Sequence, residues 1–452
     1  MPSVLRRLLL VALGSLALAA PASAYTKEDG TRTMDDGVSL AYTLYLPNGA
    51  APAGGWPGVL VLHGLAGTRG DVEAISTNFV AADYAVLAYD ARGHGTSGGV
   101  VTLAGPREVA DLRAVRNAFA GRTTVSDTKI GAWGISYGGG QIWNALADGV
   151  PLAAAEVVET WTSLYDALWP QNLARSGIVA GLANSIAARS PLITRLRDAA
   201  VQSTDPAAIR QLTTERSALA KAGSIRTPMY LFQGRTDFVF DISQATRAYA
   251  RLTGPKRLYV GTFGHPPSTF PGPDIAFVLS EGRAWFDAHL KGSGTDLKPQ
   301  VTIGSPNGKK TKFAGLPKTR TQTFTLAGRS VLSGNAIATR QTAPLRAALE
   351  SWGGGTATVT VPKLASYPRL VVSVLAGPKV IAQGGLRPKA GVNRVTLANY
   401  CVYVPRGARL RVSVGAASPA GQFAYLPFPG SGSATIGPIT LKLSTLAKPL
   451  SG

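Results

Sequence analysis

The sequence predicts an α/β unit built on a mostly parallel sheet and roofed by a helical cap, followed by a separate all-β unit. Three observations lead there. Strand-like and helix-like stretches alternate between residues 40 and 290, as they do where crossover helices cover both faces of a sheet. Within that alternation Gly134-Ile135-Ser136-Tyr137-Gly138 sits where an apolar strand should turn sharply into a helix. Beyond residue 300 the pattern changes to short apolar runs separated by Gly, Pro and Asn.

Taken in order, Met1 to Ala24 carries Arg6 and Arg7, an apolar run from Leu8 to Ala20, and the small-residue site Ala22-Ser23-Ala24. That is the layout of a secretory signal, too short in its apolar part for a membrane span. The paired arginines admit twin-arginine export, but no aromatic residue follows them, so the general secretory route is the expectation. The mature chain should then begin near Tyr25 and act in or beyond the cell envelope. Leu40–Leu46, Gly58–Leu62 and Tyr84–Tyr89 read as strands, and Asp71–Ala82 and Arg107–Ala120 as helices. In the second helix Val109, Leu112, Val115 and Phe119 recur near helical spacing. After the serine turn, Leu152–Val158, Met229–Phe232 and Arg257–Val260 read as further strands.

Residues 159–225 interrupt the sheet with a stretch rich in Ala, Leu and Arg, expected to form a helical cap over the site. Trp161, Tyr165 and Trp169 are four apart, a spacing that would put them on one helix face.

The domain boundary is expected at 295/296, giving a catalytic unit over 25–295 and a β-sandwich or jelly roll over 296–452. Charge supports the division. From residue 301 onward there are 19 Lys and Arg against one acid, Glu350, a net of +18, whereas 25–300 carries +1. So basic a tail suits an anionic cell-envelope surface as partner, and it contains no dedicated nucleic-acid motif. Cys401, the single cysteine, lies in a strand-like run and excludes an intrachain disulfide. Four unclustered histidines and no cysteine pair suggest neither metal site nor cofactor. The oligomeric state is left open.

A serine hydroxyl is a weak nucleophile and needs a positioned base, commonly a histidine oriented by a carboxylate. Ser136, in its tight turn, is the nucleophile candidate; a serine that merely caps the following helix is the plain alternative. His265, in Phe263-Gly264-His265-Pro266-Pro267 after the last strand of the unit, is the base candidate. Asp237, after the strand Met229–Phe232, is the acid candidate, with Asp241 a rival better placed to cap a helix. The backbone N–H of Tyr137 and that of Leu65, in His63-Gly64-Leu65-Ala66-Gly67, are the candidate oxyanion donors. His63 and His94 read as structural and His289 as a partly exposed helix residue. The chain order Ser136, Asp237, His265 is that of an α/β-hydrolase.

The chain resembles the cocaine-esterase and X-Pro dipeptidyl-peptidase family of serine hydrolases. The match is carried by Gly134-Ile135-Ser136-Tyr137-Gly138-Gly139, the loop Asp90 to Gly98, and Trp285-Phe286-Asp287-Ala288-His289-Leu290-Lys291-Gly292. It continues at Gly384-Gly385-Leu386-Arg387 and Val404-Pro405-Arg406-Gly407-Ala408-Arg409-Leu410-Arg411. The resemblance implies an α/β-hydrolase catalytic domain, a helical cap and a C-terminal jelly roll, with Ser136, Asp237 and His265 as the triad. One departure stands out: family members often bring a tyrosine hydroxyl to the oxyanion hole from the first loop, where this chain has His63-Gly64-Leu65. The expected activity is cleavage of a small-molecule ester or peptide through an acyl-enzyme. A proline-directed aminopeptidase needs a carboxylate for the substrate's free amine, with Glu156, Glu159 and Asp166 available; an ester needs none, which tilts the expectation to esterase. The alternative is a weakly active binding protein that docks on anionic surface polymers through its basic tail.

Overall fold

The computed structural model describes residues 25–450 except 187, 189, 203, 270, 294–297 and 429. The expected leader, 1–24, and the expected boundary at 295/296 lie outside the described residues. No helix among the described residues is long and apolar enough to cross a membrane.

The central sheet has ten strands: β1 (Tyr25–Thr33), β2 (Ser39–Pro47), β3 (Trp56–Leu62), β4 (Ala85–Tyr89), β5 (Val125–Ile135), β6 (Ala154–Val158), β7 (Met229–Gly234), β8 (Lys256–Gly261), β9 (Gln300–Gly304) and β10 (Lys310–Phe313). Their order is β1-β2-β4-β3-β5-β6-β7-β8-β9-β10. The run from β4 to β9 is parallel, and antiparallel β1 and β2 finish one edge and β10 the other.

Burial on both faces explains the apolar runs in the strands. In β3, Leu60 and Leu62 face the layer holding Leu112 and Phe119 of helix Pro106–Ala120, while Val59 and Val61 face the layer holding Phe79 and Phe286. In β7, Met229 and Leu231 share the first layer and Tyr230 and Phe232 the second, the period of two that a strand imposes. Parallel strands all end at one edge, so the segments after β3, β5, β6, β7 and β8 converge there.

Two expectations are corrected. Arg257–Val260 of β8 pairs in parallel with Gln300–Ile303, so the catalytic sheet runs on to Phe313 and the second unit's sheet begins at Thr319. The cap does form between β6 and β7, with helices Leu164–Leu168, Ser176–Asn184, Pro191–Gln202 and Pro206–Glu215. But Trp161, Tyr165 and Trp169 do not share a helix. The Ser163 hydroxyl accepts from Asp166 N–H and starts the helix after Trp161, and Pro170 follows its end at once.

The C-terminal unit is antiparallel throughout its ladders. Its long sheet orders Thr319–Leu326, Ile439–Leu446, Leu349–Val361, Gly391–Asn399, Lys379–Leu386, Leu370–Ala376, Leu410–Gly415 and Ala338–Gln341. A smaller sheet of Ser330–Ser333, Ser433–Ile436 and Lys363–Ala365 adds to it, and the core between them includes Leu332, Val359, Val372, Ile436 and Leu441. The two units share packing: Trp352, Val371, Cys401 and Tyr425 join the core cluster of the α/β unit.

Candidate active site

Ser136 follows β5 directly and has φ 52° and ψ −111°, a left-handed conformation that non-glycine residues adopt at a cost. Close approach fixes the neighbouring glycine: a Cβ on Gly138 would lie 2.5 Å from the Leu62 carbonyl oxygen of β3. The turn is held by Ser136 N–H donating to Val158 O at 2.8 Å and by the Thr160 hydroxyl donating to Ser136 O at 2.7 Å. The Ser136 side chain makes no capping bond to helix Tyr137–Ala147. Its Oγ lies instead 2.8 Å from His265 Nε2.

His265 stands four residues past β8, and its Nδ1 is 2.8 Å from Asp237 Oδ2. Asp237 is fully buried at the end of β7, its Oδ1 accepting from Val239 N–H at 2.9 Å and Phe240 N–H at 3.0 Å. The carboxylate is thus held in place by its own loop, independently of the imidazole. Gly264, with φ 153°, lets the two loops meet, since a Cβ there would lie 3.1 Å from Asp237 Cα. Burial works to lower the His265 pKa, but the Asp237 charge, its hydrogen bond and the Glu159 charge outweigh that and raise it to about 9.

The structure therefore brings Ser136, Asp237 and His265 together and leaves the other candidates out. Asp241 accepts from Ser243 N–H at 2.8 Å, at the start of helix Ser243–Arg251. His63 Nε2 accepts from Ala91 N–H at 2.9 Å and its Nδ1–H donates to Gly64 O at 2.7 Å, while burial lowers its pKa and keeps it neutral. His94 is buried, 5.0 Å from the His63 ring and 5.3 Å from that of Tyr137. His289 packs on Trp285, away from the strand ends.

Tyr137 opens its helix, where the first N–H groups have no intrahelical acceptor, and its hydroxyl is used elsewhere, in a bond to Glu108. The loop carrying Leu65 passes beside Ser136, since a Cβ on Gly64 would lie 3.8 Å from Ser136 Cβ. Rings pack beside the triad: Trp161 lies 5.4 Å from Phe240, whose ring meets that of His265 edge-on at 5.3 Å.

The three acids named for an amine are separated. Glu156 lies on the opposite face of the sheet, under Gly282, and Asp166 pairs at the surface with Arg247 at 2.6 Å. Glu159 is buried at the site itself, its Oε2 3.7 Å from His265 Nδ1. Sequence patterns could not find that placement, because the turn after β6 that delivers it has no motif. Among the described residues Glu159, Asp237 and His265 are the group close enough to share an ion. A metal there would displace hydrogen bonds the site already makes, so the donors suit a triad better.

The sequence profile of the X-Pro dipeptidyl-peptidase (S15) family matches residues 36–266, just over half the chain and including Ser136, Asp237 and His265. The chain belongs to this family of hydrolases. Solved structures similar to the hydrolase include a CocE/NonD family hydrolase from Staphylococcus aureus, at 15% identity and TM-score 0.71 over 94% of each chain. An aminopeptidase from a marine sediment Thaumarchaeota archaeon aligns at 12% identity and TM-score 0.70, covering 94% of this chain and 97% of its own. An α-amino acid ester hydrolase aligns at 15% identity and TM-score 0.69, covering 96% and 99%. At these identities the likeness is one of fold, and it takes in the cap and the β domain. Comparison with curated protein sequences finds no match.

Proposed function

We propose that this hydrolase is a secreted serine enzyme that cleaves a carboxylic ester, in preference to an amide, through an acyl-enzyme on Ser136. The observation that carries the reading is the continuous chain from Ser136 Oγ to His265 Nε2, 2.8 Å, and from His265 Nδ1 to Asp237 Oδ2, 2.8 Å. In the first step Ser136 Oγ attacks the acyl carbon while its proton passes to His265 Nε2. The oxyanion is met by the N–H groups of Tyr137 and Leu65, and Asp237 supports the imidazolium. Collapse breaks the bond to the leaving group, which takes the proton from Nε2. Water, giving its proton to His265 Nε2, then attacks the acyl carbon; collapse breaks the bond to Ser136 Oγ, which takes that proton back as the acid leaves.

The placement of the acids favours an ester. With Glu156 behind the sheet and Asp166 neutralised by Arg247, only Glu159 of the three remains for a substrate ammonium, and its carboxylate is set against the Nδ1 side of His265. Export is supported by the leader pattern of Met1 to Ala24.

A fluorophosphonate probe tests the nucleophile. The wild type should be labelled at Ser136 and Ser136→Ala should not, with turnover lost and the fold intact, because alanine fits the same turn. Undiminished hydrolysis by purified Ser136→Ala rules out the assignment. A panel of acyl esters beside X-Pro dipeptide amides then separates ester from peptide substrates.

A further inference from the structure

We propose that Glu159 is a positioning residue for His265, a second carboxylate set against the Nδ1 side of the imidazole beside Asp237. The inference rests on the serine-hydrolase reading of this site.

The fold delivers Glu159 there. β6 lies between β5, which carries Ser136, and β7, which carries Asp237, so the residue after β6 faces the space between nucleophile and acid. Glu159 N–H donates to Phe232 O at 2.8 Å, extending the β6–β7 ladder by one residue. The chain then turns away with φ 48° at Glu159, in the left-handed region where glycine or asparagine costs less. A glutamate held in that conformation has its side chain directed inward: it is 2% exposed, and its Oε2 reaches 3.7 Å from His265 Nδ1. Glu159, Asp237 and His265 each offer an atom within 4.8 Å of the others.

Glu159 and His265, packed together in one buried space beside the Asp237 charge, do not titrate independently. Burial raises the Glu159 pKa to about 8, with the Asp237 charge adding to it and His265 opposing. Glu159 in turn helps raise that of His265. The groups facing Glu159 are Asp237 from the β7 loop and His265 from the β8 loop. Behind Asp237 stand Arg175 of the cap, donating to Val239 O at 2.9 Å, and the Tyr400 hydroxyl of the β domain, 3.2 Å from Arg175. Only the neutral ring can take the Ser136 proton. An ionised Glu159 favours the protonated ring, so it delays the base as pH rises and stabilises the imidazolium once the reaction has made it. Below its own pKa Glu159 is neutral unless the ring holds the proton in its place. The pair therefore shares one proton, and the active, neutral ring accumulates in two stages across the region around pH 8.

The test is the second-order rate of fluorophosphonate labelling of Ser136 against pH, for the wild type, Glu159→Gln and Glu159→Asp. The wild type should show a drawn-out acid limb. In Glu159→Gln a single group titrates, so the limb should follow one proton and move to lower pH by about one unit. Glu159→Asp, which keeps the charge, should move it back towards the wild type. Glu159 also predicts that Asp237→Asn keeps residual labelling, which Asp237→Asn/Glu159→Gln should lower a further tenfold or more. A merely structural Glu159 would lower the rate equally at every pH and leave the limb where it is, and that result overturns the proposal. Should Glu159→Gln not fold, the wild type decides alone: a simple one-proton limb near the ordinary imidazole value, about 6.5, also overturns it. Labelling or turnover that survives in Ser136→Ala removes the serine mechanism and this proposal together. A silent Ser136→Ala with an unmoved limb removes the proposal only.

Discussion

Asp237 has two jobs in the residue-scale geometry, and they predict different outcomes from its near neighbour. One oxygen accepts two backbone N–H groups of its own loop and the other faces His265. Replacing it with asparagine keeps the size but presents an amide where the ring needs an acceptor, so the imidazole is no longer held in the productive tautomer. Asp237→Asn should lower turnover by about a thousandfold or more. Asp241→Asn should leave turnover within a few-fold, since Asp241 bonds only to the start of a helix. Steady-state rates on one ester compare the two, and equal losses would mean that both aspartates serve the base. The same residues show what a sequence can reveal. Ser136 was legible because two glycines must flank an elbow that crowded, and Asp237 and His265 because each follows a recognisable strand. Glu159 was legible only as an acid in the right region: its place depends on a positive φ at one residue, which no composition or periodicity records.

At the scale of elements, the loop that carries Asp237 is held from outside its own domain. Arg235, two residues before Asp237, donates to Gly304 O at 2.8 Å and pairs with Glu350 of the β domain, with both side chains buried. The Arg235 carbonyl accepts from Cys401 N–H at 2.8 Å, and Glu350 Oε2 accepts from Leu450 N–H at 2.6 Å. Removing one member of a buried ion pair leaves the other charged and desolvated, at a cost of about 3–5 kcal/mol. Glu350→Ala should therefore lower the midpoint of chemical unfolding strongly. It should also reduce turnover, because the Asp237 loop loses a support on the β-domain side. A melting curve and a rate within error of the wild type would deny the contact both roles. The strands and helices around this contact were legible from periodicity, whereas the pairing of β8 with β9 was not. Gln300–Gly304 is a short strand after a glycine-rich link, and such a segment reads as the start of the next domain until its hydrogen-bond partner is known. β1 was missed for the opposite reason: Thr26–Thr33 is polar and exposed on an edge, so it has no apolar alternation to show.

Across the whole molecule the asymmetry is one of charge, and the structure sharpens where to look for its use. The sole acidic side chain beyond residue 301, Glu350, is consumed by Arg235 in the interior, so the β domain offers its exposed cations no other Asp or Glu of its own. Four of them gather at one end. Leu345 N–H donates to Ala408 O at 2.8 Å, Gly407 N–H donates to Leu345 O at 2.9 Å, and Gln341 registers with Arg411, which brings exposed Arg346, Arg406, Arg409 and Arg411 together. We propose that arginines so placed would attract an anionic polymer over a range that salt shortens, the Debye length being about 10 Å at 0.1 M. Cutting the chain near residue 300 would not test this, because β9 and β10 belong to the catalytic sheet. Point variants of the full chain do. On a phosphate-bearing resin, replacing these four arginines with glutamine should shift elution to markedly lower salt. The comparison is a variant of equal net charge in which Lys309, Lys312, Lys363 and Lys442, exposed elsewhere, are replaced. Turnover of a small neutral ester should be the same in both, since neither set touches Ser136 or His265. If the two variants leave the resin together, the charge acts as a diffuse field and the arginine cluster is no docking site.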